Sequence, residues 1–380
     1  MGMALSAIDK MRVVVMLSAS TSPELIIIRR MNTMTLLRMF LSRNLSIFLL
    51  LGVVLSSPVF SSEELANYSS QKDWKEIQEF LPKRLRFDEA YHPQESWWQW
   101  RGHDVHLDRF NNDSAPALVI LLHGVGTNGR QMSLVAGGPL ARQGFAVVAL
   151  DLPGYGVTRV GDQEQVTYDS WVALVSDFIN EQRRDNNRPV FLYGLSAGGM
   201  LAYHAAALNG HVDGIIGMTF LDQRDAKIRH ATARNSFISV TGRPLLWMSD
   251  NPVTGGVKFP LRLVSKMNAL VNDDDALSVF LKDGSSAGNW VSARFLHSYL
   301  TYQPVIEPEN FSLCPILLTQ PAEDRWTPLA LSEPFMEKLP KGIGRHVMLE
   351  NAGHYPLEEP GLSQLESAMV AFIQARLNDI

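Results

Sequence analysis

The run Pro189-Val-Phe-Leu-Tyr-Gly-Leu-Ser-Ala-Gly-Gly-Met200 decides how this chain is read. It predicts a short buried strand, a sharp Gly-x-Ser-x-Gly turn centred on Ser196, and an Ala-rich helix. A serine at the tip of such a bend is held in a strained backbone conformation that pushes its hydroxyl out above a sheet. Gly194 and Gly198 carry no Cβ, so strand and helix can close around it. The N–H groups of the following helix start point at the same place. The pattern is short and arises by chance in many chains, so its meaning depends on what the other segments supply.

Outward from that turn, the chain alternates. Ser96–Arg101 and Asp104–Arg109 predict a hairpin turning near Gly102, preceded by a leader helix within Asn67–Arg86. Ala117–Leu122 is an unbroken apolar run, as a strand buried on both faces requires. It ends at His123-Gly-Val-Gly-Thr-Asn-Gly129, with a helix to about Gln143. Strand Phe145–Leu150 follows and leads into Asp151-Leu-Pro-Gly-Tyr-Gly156, then helix Tyr168–Arg184. Beyond Ser196, helix Leu201–Leu208 and strand Gly214–Phe220 continue the alternation. It stops from about Leu221 to Leu313, where only amphipathic pieces are found, and resumes with strand Pro315–Thr319, a helix near Pro328–Leu339, strand Arg345–Leu349 and helix Leu362–Leu377. Repeated β–α alternation with apolar strands predicts a mostly parallel sheet covered on both faces by helices. Residues 62–220 and 314–380 form that core. The 221–313 stretch is expected to be a helical lid at the carboxyl edge, where such sheets bind ligands.

Composition narrows the function classes. The 380 residues are 46% hydrophobic and 19% charged, with a formal net charge of −5. Residues 1–61 carry six basic side chains against two acidic ones, a +4 arm that leaves the remainder at −9. An acidic body has no basic stripe to follow phosphates, so no nucleic-acid partner is expected. Cys314 is the only cysteine, which excludes an intramolecular disulfide, and no Cys/His spacing suggests a zinc site. Within the arm, the apolar run Leu45–Ser57 lies behind Arg38 and Arg43 and before small residues, the order of a secretory signal peptide. Met31 and Met34 lie where such a segment should begin, so residues 1–30 read as an over-extended start. The expectation is export to the periplasm or outside the cell, with an uncleaved membrane anchor as the alternative.

A serine hydroxyl needs an adjacent base, itself oriented by a third group. His354 in Glu350-Asn-Ala-Gly-His-Tyr-Pro356 follows the last strand and is the candidate base. Asp324 in Gln320-Pro-Ala-Glu-Asp-Arg-Trp-Thr-Pro328 is the candidate acid, with Glu323 and Asp222 as alternatives. His123 and His204 are the other histidines to weigh. The oxyanion of a tetrahedral intermediate needs two N–H donors, expected from Ala197 and Val125. A rival reading takes Gly124-Val-Gly126-Thr-Asn-Gly129 as a dinucleotide fingerprint with Asp151 at the ribose. That reading leaves Ser196, Asp324 and His354 unexplained.

Taken together, His123-Gly124, Asp151-x-Pro153-Gly154-x-Gly156, Gly194-Leu-Ser196-Ala-Gly198, Asp324-Arg-Trp-Thr-Pro328 and Gly353-His354 resemble the α/β-hydrolase family, in its order, over about residues 95–378. The resemblance implies an α/β-hydrolase fold with an eight-stranded type of sheet, Ser196 as nucleophile, His354 as base, Asp324 as acid, and a lid at 221–313. It implies a serine hydrolase that needs no cofactor or metal. Its partner would be a small-molecule ester or lipid-like substrate, as in carboxylesterases, lysophospholipases and monoglyceride lipases. Apolar lid residues such as Trp247, Phe259, Leu261, Met267 and Phe280 would line an acyl pocket or pack the lid down, and the arm or lid would meet a membrane surface. A C–C bond hydrolase, a peptidase, an acyltransferase, a dinucleotide-dependent oxidoreductase and a non-catalytic binding module remain the alternatives.

Overall fold

A computed structural model describes residues 67–161, 166–234, 249 and 252–380. The expected signal segment and start site therefore lie outside the described residues, as do Leu245, Leu246 and Trp247. Among the described residues, no helix is long and apolar enough to cross a membrane.

The strands are β1 (Gln94–Trp100), β2 (His103–Phe110), β3 (Leu118–Leu122), β4 (Ala146–Leu150), β5 (Val190–Gly194), β6 (Gly214–Gly217), β7 (Lys258–Pro260), β8 (Trp290–Ser292), β9 (Ile316–Pro321) and β10 (Gly344–Leu349). Eight of them form one sheet in the order β1-β2-β4-β3-β5-β6-β9-β10. β2 pairs antiparallel with both β1 and β4, and every pairing from β4 to β10 is parallel. This is the α/β-hydrolase fold. β3, β4 and β5 are buried along their whole length, which is why they read as uninterrupted apolar runs. The expected hairpin turns through Arg101 and Gly102, both at positive φ.

Register fixes where the chemistry can lie. Leu122 pairs with Leu150 and Gly194, Gly194 with Gly217, and Gly217 with Leu318. The carboxyl ends of β3, β4, β5, β9 and β10 thus meet along one edge, and the loops that follow them carry all the candidate site residues.

Two departures from the sequence reading bear on the site. The helix after Asn128 is not continuous: α-turns at Gly129–Met132 and Gly138–Arg142 flank a π-turn at Ser133–Gly137. The stretch between β6 and β9 is also not purely helical. Besides short helices it contains β7 and β8, paired antiparallel, with Phe259 opposite Val291. Their three-residue length and flanking helix patterns hide them from periodicity. Leu261, Met267, Leu270, Phe280 and Phe295 from this stretch are buried in the main core.

A buried charge cluster ties the segment before β1 to the sheet. Asp151, at the end of β4, accepts from Tyr68 Oη (2.9 Å) and Gly129 N (2.7 Å), and lies 3.0 Å from His106 Nδ1. His106 Nε2 lies 2.9 Å from Glu95, and Arg130 grips Asp108 with two bonds of 2.6 and 2.9 Å. Arg130 also lies over the rings of Tyr68 and Trp74. Burial works against a charged His106, but its bonds to Asp151 and Glu95, with the nearby Asp108, outweigh that and raise its pKa to about 9.

Two outcomes follow from this packing. A group whose pKa rises on folding contributes stability that is complete below its unfolded pKa and lost as pH climbs through its folded value. The urea midpoint is therefore expected to fall between pH 6.5 and about 9, and His106→Gln should flatten that slope; an equally steep slope in the variant refutes the assignment. At the turn itself, a Cβ on Gly194 would overlap the Gly198 carbonyl oxygen, a backbone atom that cannot step aside. Gly194→Ala should cost about 1–3 kcal/mol and lower Tm by several degrees in a thermal melt.

Candidate active site

The Ser196 turn adopts the conformation its sequence demands. Ser196 sits at φ 56° and ψ −121°, directly before the Ala197–Asn209 helix. Positive φ is costly for a residue with a Cβ and persists only where packing over-determines it. Here a Cβ on Gly198 would strike the Leu122 carbonyl and one on Gly199 that of Thr219, so β3 and the segment after β6 clamp the first turn of the helix. Leu195 N–H completes the clamp by donating to Leu122 O at 3.1 Å.

The loop after β3 stands against this turn. A Cβ on Gly124 would meet Leu195 O at 2.6 Å and Ser196 Cβ at 2.9 Å, so only glycine admits the approach. The loop closes on itself, because Gly124 N–H donates to Thr127 Oγ1 (3.0 Å) and Thr127 N–H returns to Gly124 O (3.4 Å). A Cβ on Gly124 would also stand 3.3 Å from Ala197 N. The N–H groups of Val125 and Ala197 form no hydrogen bond among the described residues, which leaves two donors beside the serine.

His123 orients this loop. Its Nδ1 lies 2.9 Å from Gly124 O, and its Nε2 accepts from Leu152 N–H at 3.0 Å. Both ring nitrogens are taken, and burial lowers its pKa, so the ring is a neutral strut. His204 is likewise structural: it packs with Tyr168 and Tyr302, 3.0 Å from the Tyr168 hydroxyl, and burial takes its pKa down to about 3.

Asp324 and His354 come together from the loops after β9 and β10. His354 Nδ1 lies 2.9 Å from Asp324 Oδ2, and both side chains are buried. Asp324 Oδ1 accepts from the N–H groups of Trp326 (2.8 Å) and Thr327 (2.7 Å). Thr327 Oγ1 donates to Asp324 Oδ2 at 2.8 Å and lies 3.0 Å from His354 Nδ1. Burial alone would raise the Asp324 pKa, but the facing imidazole and the Thr327 donors hold it down to about 2. An ionised carboxylate at Nδ1 places the proton there and leaves Nε2 as the basic nitrogen. That Nε2 is buried and has no hydrogen-bond partner among the described residues. Trp326 covers the ring, with centroids 4.7 Å apart.

The alternative acids are accounted for elsewhere. Glu323 is exposed, with only its backbone engaged by Ala352 O and Asn272. Asp222 is chelated by Arg224, which also binds Glu307. Asp151 is consumed by the cluster beneath the loop, so the dinucleotide reading loses its ribose ligand. Glu95, His106 and Asp108 place one potential metal ligand atom each within 4.8 Å of one another, but they bond to each other and to Arg130. Sequence reasoning missed Thr327 as a partner of both Asp324 and His354. Its place three residues after the acid in Asp-Arg-Trp-Thr was the available signal.

The chain spans less than half the length of the curated relatives it matches. The mouse protein phosphatase methylesterase 1 is 28% identical over 151 residues, 39% of this chain and 38% of that protein. The human protein of the same name is 26% identical over the same length. Among solved structures, a soluble variant of monoglyceride lipase from Saccharomyces cerevisiae aligns with a TM-score of 0.63 at 16% identity, covering 77% of this chain and 98% of that one. The monoacylglycerol lipase of Paleococcus ferrophilus aligns with a TM-score of 0.54 at 19% identity, covering 72% and 99%. Residues 119–362 match the alpha/beta hydrolase family, and they contain the Ser196 turn, the Gly124 loop and the Asp324–His354 pair; the chain belongs to that family.

Proposed function

We propose that the protein is a serine hydrolase of carboxylic esters, acting through an acyl-enzyme on Ser196. The observation that carries this is the buried Asp324–His354 pair, whose Nε2 has no partner among the described residues, on the sheet edge that also presents Ser196 at positive φ. His354 Nε2 takes the proton from Ser196 Oγ as the oxygen attacks the ester carbonyl carbon. The carbonyl π electrons move onto oxygen, where the Val125 and Ala197 N–H groups meet the negative charge. Asp324 holds the ring and offsets the imidazolium that forms. The intermediate collapses, the C–O bond to the alcohol breaks, and His354 returns its proton to the leaving oxygen. Water repeats the sequence on the acyl-enzyme and releases the acid.

A carboxylic ester is the bond named both in the methylesterase relatives and in the glyceride lipase neighbours. An acyl pocket and delivery to an exported site, both read from the sequence, belong to this proposal.

Ser196→Ala should lower kcat by about 10⁴–10⁶-fold with an unchanged circular dichroism spectrum, and abolish labelling by a fluorophosphonate probe. Retained labelling would move the nucleophile elsewhere. Asp324→Asn leaves the geometry but reverses the favoured tautomer, and should lower kcat by about 10³–10⁴-fold. A panel of p-nitrophenyl and glyceryl esters of rising chain length, set against aminoacyl amides and an NAD(P)H titration, separates the ester reading from peptidase and oxidoreductase activity. Faster turnover of the amides would overturn it.

A further inference from the structure

The stretch expected to be a helical lid contains a buried carboxylate that no step above uses. Asp283 is 1% exposed and accepts four hydrogen bonds. Its Oδ1 takes Ser285 N–H (2.8 Å) and Ser285 Oγ (2.6 Å); its Oδ2 takes Ser286 Oγ (2.6 Å) and Gln131 Nε2 (3.1 Å). Four bonds are more than such a turn needs to hold itself, and one of them leaves it for the core.

Gln131 is the hub of what that bond reaches. Its Nε2 also donates to Ser286 Oγ (2.9 Å), and its backbone N–H donates to Asn128 Oδ1 (3.0 Å). Its Oε1 accepts from Asn128 N–H (3.3 Å), which completes a capping box on the helix that ends the Gly124 loop. Asn128 Nδ2 reaches back to Ser285 Oγ at 3.0 Å. On the far side, the Gln131 carbonyl accepts from Tyr355 Oη at 2.8 Å, and Tyr355 is the residue after His354. Tyr355 N–H in turn donates to Leu270 O (2.8 Å), and Asn272 Nδ2 to Glu323 O (3.1 Å), beside Asp324. Met267 closes the set, with its sulfur 2.7 Å from where a Cβ on Gly126 would stand.

We propose that residues 267–289 are a fixed brace, and that Asp283, acting through Gln131, is a positioning residue that sets the oxyanion loop relative to the base. The inference rests on the serine hydrolase reading above. Two segments of the insertion, 267–272 and 283–286, together hold the loop that carries Val125, the residue next to His354 and the loop that carries Asp324. A carboxylate suits the task because it accepts all four donors; an amide in its place must turn an NH₂ toward donors and loosen the join. Loss of alignment by about 1 Å at a reacting centre lowers rate by up to roughly 10²-fold.

The test is Asp283→Asn, with Lys282→Ala on the same turn as an exposed control, titrated for active sites with a fluorophosphonate. Per titrated site, Asp283→Asn should lower kcat about 10–100-fold with KM changed less than about 3-fold. It should weaken a trifluoromethyl ketone, which forms the same oxyanion, by a similar factor. Gln131→Met should reproduce the effect, and the two changes together should cost little more than either alone. If Asp283→Asn only reduces the number of titratable sites, leaving kcat per site and ketone affinity intact, Asp283 merely stabilises the fold and the proposal fails. If the wild-type protein is not labelled at Ser196, the hydrolase reading fails first and this inference falls with it.

Discussion

The edge of this sheet depends on one backbone angle. Ser196 at φ 56° carries strain of about 1–3 kcal/mol, which an isolated turn would relax. It persists because the chain around it has nowhere to go. The Gly198 and Gly199 α-carbons press on carbonyls of β3 and the segment after β6, and Leu195 is bonded to Leu122. The same glycines that allow the turn let the Gly124 loop stand against it. The serine turn and the loop after β3 are thus brought together by the requirement that backbone pack on backbone, before any side chain takes part.

Most of that was legible. The fully buried strands showed as apolar runs, and the elbow glycines stood at the spacing their contacts require. Asp324 and His354 each follow a strand, and parallel register carries strand ends to one edge without further instruction. Physical limits account for what was hidden. β7 and β8 have three residues each, too few to show alternation, and pair across about thirty residues of intervening chain. The π-turn at Ser133–Gly137 leaves no signature in composition. Phe280 and Leu261 could be read as pocket lining or as packing of the lid onto the core, and the structure packs them into the core.

Buried charge was the least legible feature, for a reason that is general. A carboxylate is tolerated in the interior only with partners, and those partners are assembled by tertiary folding. Asp151 meets Tyr68 from a segment 83 residues earlier, and Asp283 meets Gln131 across 152 residues. In the sequence, Asp151 was open to a ribose, and nothing singled out Asp283. Only the distribution of donors around each shows that one supports the start of the Gly129–Met132 turn and the other its third residue.

These two carboxylates together explain why the Gly124 loop can be rigid although it carries glycines. Gly129 N–H is held from below by Asp151, and Gln131 from the side by Asp283, so the loop's exit is fixed in two directions. Its entry is fixed by β3 and by His123, which spans Gly124 O and Leu152 N–H. With both ends set, the glycines between them supply reach without freedom. The insertion therefore divides by what it bonds to. The part from Met267 to Asn289 is joined to the loops bearing Val125, Asp324 and His354, so displacing it would break the bonds that hold them.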